Sequence, residues 1–475
     1  MRLFASFVAV LLVAACSHEP ATTTKPNVVV IVLDTVRPDY LSAYGAPQPT
    51  SPFLKSFAAK GTLYEQAWST SPWTLPAHAS LFSGTEPAFH RATQSTEHVA
   101  QDVPLLAERL QAAGYQTVGL TNNNWISKAT GLDRGFDLLR DQWDIRQRRR
   151  SEGASHPTVQ ALKELFQHGR EAQRPLFLFV NLTDAHMPYL PHWDEEAKPF
   201  FESTKAWENA INLLFPDAGS ALLARNYGGK PLEPAELEAL KNLYRGAIRR
   251  ADRITEALMA LVDQHLDPAN TLVFVLSDHG ENLGEHGHLS HIFNLYESNL
   301  RIALLARGPG FAAGTREQHP VQITDLYPTI LHAAGLEPES SCIGLDLHGA
   351  LPAQRLLGAS LERPVVSLGT FPEALQRSGV LARFDRELES ALFGGKKQIL
   401  AGDGSCERYD LEQDPGELNL LPQLPAESEK ATADAIARVR ALWKQRRSFE
   451  QKGNATTDDA TRSGLKNLGY TAGDK

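Results

Sequence analysis

The strongest constraint on the fold is a set of apolar runs that each stop abruptly at polar side chains. Thr271–Leu276 (Thr-Leu-Val-Phe-Val-Leu) has the length and β-branched content of a parallel strand buried on both faces, and it ends at Ser277-Asp278-His279-Gly280-Glu281. Asn27–Leu33 has the same character and ends in Asp34. Leu176–Leu182 runs into Asp184 and His186, and the strand read at 117–121 ends in Asn122-Asn123-Asn124. Ligands of open α/β sheets bind at the carboxyl ends of strands, so four such ends predict one site. Helices are read between the strands: 51–61, with a cap, an early proline and a closing glycine; 103–113; and 234–254, which opens on Pro234. The last has helical apolar spacing and is expected to pack on the sheet rather than touch substrate. The fold class is α/β, a large, mixed but mostly parallel sheet sandwiched by helices. That domain is expected over 27–335. From 336 to 475 the pattern thins to a smaller α+β subdomain, with short antiparallel strands at 396–400 and 407–411 and a helix around 430–445.

A hydrophobic fraction of 42% and a charged fraction of 22% exclude a disordered or collagen-like chain. The net charge of -9 argues against nucleic acid as a partner, and the basic run Arg146-Gln147-Arg148-Arg149-Arg150 is read as a solvated face. Residues 1–15 read as a secretory signal, too short to span a bilayer comfortably. Val13-Ala14-Ala15-Cys16 resembles the lipobox of bacterial lipoproteins, in which Cys16 is lipidated and residues 16–26 form a tether. Ordinary cleavage near Ala15 is the alternative. Ser17 resembles lipoproteins sent on to the outer membrane, so the expected location is the bacterial envelope, lipid-anchored and facing the periplasm. Cys342 and Cys406 remain, and an oxidising compartment permits them to pair, although nothing in the sequence fixes their distance.

The stretch 69–84 contains Trp73-Thr74-Leu75-Pro76-Ala77-His78. Its prolines hold an extended approach and a helix can begin at Ala77, which places Thr74 just ahead of a helix N-terminus. Backbone N–H groups and the helix dipole favour an oxyanion there; a plain N-cap is the alternative.

Val32-Leu33-Asp34-Thr35-Val36-Arg37-Pro38-Asp39-Tyr40, then Thr74-Leu75-Pro76-Ala77-His78, then Ser277 to Gly287, resemble in order and spacing the sulfatase family of the alkaline phosphatase superfamily. Smaller landmarks agree, among them Thr324-Asp325-Leu326-Tyr327-Pro328-Thr329 and Asp414-Pro415-Gly416-Glu417. The resemblance implies one divalent metal bound by Asp34, Asp278, His279 and the Thr74 oxygen. His186 and His291 match positions where the family sets a cation against ester oxygens or the leaving group, so they are assigned anion stabilisation and general acid work. Asn122 and Asn123 lie near the family's active-site lysine and are candidates for substrate binding, without a choice between them and Asn124. His78 stands at the family's arginine, either orienting the nucleophile or simply packed.

Two departures bear on the reaction. Family sulfatases carry Cys or Ser, converted to formylglycine, where this chain has Thr74; a threonine attacks in related phosphodiesterases and phosphoglycerol transferases. Thr35 replaces the second of two adjacent acids typical of calcium-bound members, which favours Mn or Zn over Ca or Mg. A second metal on His286 or His288 with Asp184 or His291 is disfavoured, because Pro188 interrupts the Asp-x-x-x-His spacing of two-zinc enzymes. The expected function is metal-dependent hydrolysis of phosphate, phosphonate or sulfate esters through Thr74, on a small-molecule, glycan or lipid substrate. Open alternatives are an envelope phosphoglycerol- or phosphoethanolamine-type transferase, a true sulfatase, and an inactive lipoprotein that binds anions or glycans.

Overall fold

A computed structural model describes residues 25–141, 151, 153–214, 225–226, 231–291, 293–362 and 386–447. The lipidation signal with Cys16, the basic run at 146–150, and residues 215–224 and 227–230 lie outside the described residues. Among the described residues no helix is long and apolar enough to cross a membrane.

Eight strands form the main sheet: β1 (Asn27–Leu33), β2 (Thr62–Tyr64), β3 (Gln116–Thr121), β4 (Leu138–Asp141), β5 (Leu176–Leu182), β6 (Thr271–Leu276), β7 (Leu304–Arg307) and β8 (Thr315–Glu317). Their order is β8-β2-β7-β6-β1-β5-β3-β4. From β6 to β4 all neighbours are parallel, with Val30 of β1 opposite Phe179 on one side and Phe274 on the other. β7 is antiparallel to both β6 and β2.

The unbroken apolar runs have a direct physical cause. Val28, Val30 and Val32 of β1 join Phe177, Phe179 and Phe274 in one core, while Val29, Ile31 and Leu33 join Leu178, Val180 and Val275 in another. Successive residues point to opposite faces, and neither face meets water. Helices Thr74–Ser83, Leu106–Ala112 and Leu326–Ala333 cover the first face; Pro52–Ala58, Pro157–Glu164 and the long Pro234–His265 cover the second. Burying each such side chain is worth roughly 1.5–3 kcal/mol.

The C-terminal region adds an antiparallel sheet of β9 (Leu357–Leu361), β10 (Leu388–Phe393), β11 (Lys396–Ala401) and β12 (Cys406–Asp410), backed by helix Ala426–Arg447. Leu357, Leu361, Leu392 and Tyr409 pack into the first core of the main body. Lys397 is buried between Glu297 and Glu417, at 2.8 and 2.7 Å, which fastens the two parts by charge as well. Cys342 and Cys406 are both free thiols.

Candidate active site

The parallel strands β6, β1, β5 and β3 end on one edge of the sheet, so Asp278, Asp34, the Asp184–His186 turn and Asn123 leave from neighbouring rows. Helix Thr74–Ser83 points its N-terminus at them. Thr74 is its first residue rather than the residue ahead of it, and Trp73 takes the N-cap position with no side-chain cap. A helix leaves its first N–H groups without intrahelical acceptors, so this end favours negative charge.

Asp34, Asp278 and His279 converge, all fully buried, with one ligand atom from each within 4.8 Å of the others. His279 Nδ1 faces the Gly280 carbonyl at 2.9 Å; a carbonyl only accepts, so Nδ1 carries the proton and Nε2 the lone pair. That Nε2 lies 3.3 Å from Asp278 Oδ2 and 3.8 Å from Asp34 Oδ1. Both carboxylate oxygens are buried without a hydrogen-bond donor. Three lone pairs aimed at one another repel unless a cation lies among them, and two carboxylates with one imidazole form a donor set that suits a divalent metal. Thr74 Oγ1 completes the group, 3.5 Å from His279 Nε2.

The loops are braced from behind. Asp278 Oδ1 accepts from the backbone N–H groups of Thr35 and His279 at 3.2 and 2.9 Å. Thr35 adopts a left-handed φ of 62°, costly for a β-branched residue and characteristic of functional sites. Its hydroxyl donates to the Ala185 carbonyl instead of facing the carboxylates, and Tyr244 of the long helix donates to its carbonyl at 2.7 Å. The long helix thus packs on the sheet as expected while also holding the Asp34 turn.

Burial drives the electrostatics. It raises Asp278 well above the usual carboxyl range, and the neighbouring Asp34 adds to the effect. Burial pushes Asp34 up too, but the imidazoles of His186, His279 and His78 and the Asn123 amide together hold it below its ordinary value. His78, His186 and His279 are all lowered, chiefly by burial, and His291 is lowered to about 4.

Of the asparagines, Asn123 faces in: its amide donates to Asp34 Oδ2 at 2.8 Å and to Thr74 Oγ1 at 3.3 Å. Asn122, expected to bind substrate, instead donates to Thr158 Oγ1 and the Asn181 carbonyl, tying β3 to β5. His78 donates from Nδ1 to the Thr74 carbonyl at 2.9 Å, 3.5 Å from Asp278 Oδ2, with its ring edge-on to Phe179. It therefore packs beneath the site and steadies the first helical turn. His186 and His291 stand together at 5.0 Å between ring centroids, and His291 is 4.7 Å from His279. Asp184, weighed as a metal ligand, is instead engaged by Arg250 at 2.9 Å, in a buried cluster with Glu196 and His156. His286 stacks on Tyr296 at 3.7 Å, which orients that ring toward the C-terminal region.

The residue that the sequence reading passed over is Glu281. It is fully buried, 3.1 Å from His291 Nδ1, and burial raises its carboxyl to about 7. A carboxylate two residues beyond a strand-end histidine was the available signal.

The family model described as Sulfatase matches residues 26–336. Choline-sulfatase of Rhizobium meliloti (strain 1021) is 24% identical over 472 residues, covering 90% of this chain and 89% of that one. Among solved structures, the phosphonate monoester hydrolase of Agrobacterium radiobacter superposes with a TM-score of 0.66 at 18% identity, over 88% of this chain and 96% of that one. A protein solved with its substrate D-glucosamine-2-N,6-O-disulfate gives 0.67 at 17% identity, over 90% and 100%. The matched span takes in Asp34, Thr74, Asp278 and His279 in their expected order, and the chain belongs to the sulfatase family of the alkaline phosphatase superfamily.

Proposed function

We propose that this sulfatase-family ester hydrolase acts on phosphate or phosphonate esters through Thr74. The observation that carries the reading is the identity of the side chain beside the acid–imidazole cluster: its Oγ1 lies 3.5 Å from His279 Nε2 and 3.3 Å from Asn123 Nδ2, and it belongs to a threonine. Oxidising threonine at its hydroxyl carbon gives a ketone, so the aldehyde used by formylglycine sulfatases is not accessible here. Asp34, Asp278, His279 and Thr74 Oγ1 would hold one divalent cation. The two carboxylates and one imidazole favour Mn or Zn over Ca or Mg. A cation so held lowers the pKa of the Thr74 hydroxyl and offsets charge on the ester oxygens.

Asn123 keeps Oγ1 directed into the cleft. Thr74 Oγ1, its proton released to solvent, forms a bond to phosphorus as the bond from phosphorus to the alcohol oxygen breaks. The departing oxygen takes a proton from His186 or His291. Water then attacks phosphorus, returns a proton to that imidazole, and the Thr74 oxygen leaves. An alcohol in place of that water would make the same site a transferase. In the same reading Cys16 carries a lipid and the site faces the periplasm.

The test is a substrate panel of aryl phosphate, phosphodiester, phosphonate and sulfate with added Mn or Zn. Turnover of the phosphorus esters above the sulfate is expected. Preferred turnover of the sulfate would overturn the phosphate reading, and no turnover on any member with metal bound would favour a binding protein.

A further inference from the structure

We propose that Lys397, on the C-terminal sheet, is a positioning residue for the active site, clamping the turn that spaces the Asp278–His279 loop from Thr74. The inference rests on the proposal above that Thr74 and the Asp34–Asp278–His279 cluster are the working groups, and it holds for phosphorus and sulfate esters alike. The turn is Glu297–Ile302, and it touches both halves of the site. On one side the backbone N–H groups of Gly280 and Glu281 donate to the Asn299 and Ser298 carbonyls at 2.8 and 2.9 Å. The approach is so close that a Cβ on Gly280 would collide with the Ser298 carbonyl oxygen, so the loop carrying Asp278 and His279 rests directly on the turn. On the other side Arg301 and Ile302 pair with Trp68 and Ala67, and the Ser69 N–H donates to the Leu300 carbonyl at 2.8 Å, on the segment that leads into Thr74.

Glu297 is where the turn is gripped. Its carboxylate accepts from Trp68 Nε1 at 2.9 Å and from the Lys397 ammonium at 2.8 Å, while its own N–H donates to Glu417 Oε2 at 2.6 Å. An ion pair between Lys397 and Glu417 at 2.7 Å closes the set. The side chains of Lys397, Glu417 and Glu297 are 2%, 1% and 10% exposed, so these charges meet away from water. Lys397 shares with Ile399 and Ala401 the face of β11 that lies on the main body, whereas Leu400 faces the C-terminal helix. Without the ammonium two buried carboxylates confront each other, and their repulsion moves the turn through Glu297. A shift of about 1 Å in a reacting group, caused far from the chemistry, can cost a hundredfold in rate.

The experiment compares Lys397→Met, Glu297→Gln and Ile436→Ala with the wild type in the full chain. Hydrogen exchange of the metal-free protein is read by mass spectrometry on peptides spanning 277–283 and 66–72, and turnover of aryl phosphate and aryl sulfate is read on the metal-loaded protein well below its melting temperature. Glu297→Gln keeps the shape but sets an amide NH2 against one of its two donors. Ile436→Ala opens a cavity between the C-terminal helix and the far face of the same sheet, which lowers melting without touching the clamp. In Lys397→Met both peptides should exchange about tenfold faster or more while peptides of β1 and β5 change by less than about threefold. Turnover should fall roughly 10–100-fold. Glu297→Gln should move both readings the same way by less, and Ile436→Ala should leave both close to wild type. Should Lys397→Met fail to fold, Glu297→Gln against Ile436→Ala decides the question. Unchanged exchange at 277–283, exchange that quickens evenly across the sheet, or an equal loss of turnover in Ile436→Ala would overturn the proposal. A wild type that turns over neither ester would end the reading of the site as a hydrolase of these esters, and exchange at the two peptides would still decide whether Lys397 holds the turn.

Discussion

Replacing Asp278 by asparagine should stabilise the metal-free protein while removing most of its response to metal. Asp278 Oδ1 accepts two backbone N–H groups, and an asparagine carbonyl can keep both. The new amide nitrogen takes the place of Oδ2, which has no donor and faces two acceptors, His279 Nε2 at 3.3 Å and the donor-less Asp34 Oδ1. Removing a buried unsatisfied polar group is worth about 1–3 kcal/mol. At about 2.1 cal/mol/K of unfolding entropy per residue, a 475-residue chain shifts its midpoint by about 1 °C per kcal/mol. Asp278→Asn in EDTA should therefore melt about 1–3 °C above wild type. Metal at roughly 1,000 times its dissociation constant adds about 4 kcal/mol to the wild type, and so about 4 °C. The gap in EDTA should also depend on pH. Asp278 is raised in the folded protein, so the wild type loses stability as pH climbs above the unfolded value of about 3.9 toward the folded one, and the variant does not. Differential scanning calorimetry across pH, with and without metal, reads all of this. A metal-free variant less stable than wild type, or one that keeps the full metal shift, would refute the reasoning.

Further outcomes separate working residues from supporting ones. Asn123→Ala should lower turnover about 10–100-fold and lower the melting temperature as well, since it strands Asp34 Oδ2 and the Trp125 N–H, whereas Asn122→Ala should act chiefly on the melting temperature, because its amide ties β3 to β5. Arg250→Met should cost about 3–5 kcal/mol in denaturant unfolding, since it strands Asp184 and Glu196 in the interior. Glu196→Gln should remove a loss of stability that the wild type shows as pH rises from 4.5 to about 7, because burial raises that carboxyl to about 7. Thiol titration should find Cys342 slow to react until the protein is denatured, as burial raises it to about 11.

The central sheet could be read to the residue where one physical cause dominated. Asn27–Leu33, Leu176–Leu182 and Thr271–Leu276 are buried on both faces and bounded by polar groups, so their limits coincide with the apolar runs. Thr62–Tyr64 and Leu304–Arg307 were passed over because strands of three and four residues, set by antiparallel partners far along the chain, carry no periodic signal. Leu388–Phe393 was passed over too, although it is six residues long and forms a hairpin with Lys396–Ala401 across Gly394-Gly395.

The metal-type cluster was legible from two strand ends and one helix start. The assignment among adjacent residues was not. Asn122 and Asn123 point opposite ways, and only the packing of Thr158 and Asn181 decides which faces in. Asp184 was weighed for a second metal and disfavoured on spacing alone; its engagement by Arg250, 66 residues away on the long helix, carried no sequence signal.

The most direct measurement is chemical quench of the metal-loaded protein with p-nitrophenyl phosphate, followed by mass spectrometry of its peptides. A phosphoryl group on Thr74, formed within one turnover and absent from Thr74→Ala, is the predicted result. Turnover without a modified Thr74 peptide, or full activity in Thr74→Ala, would contradict the account.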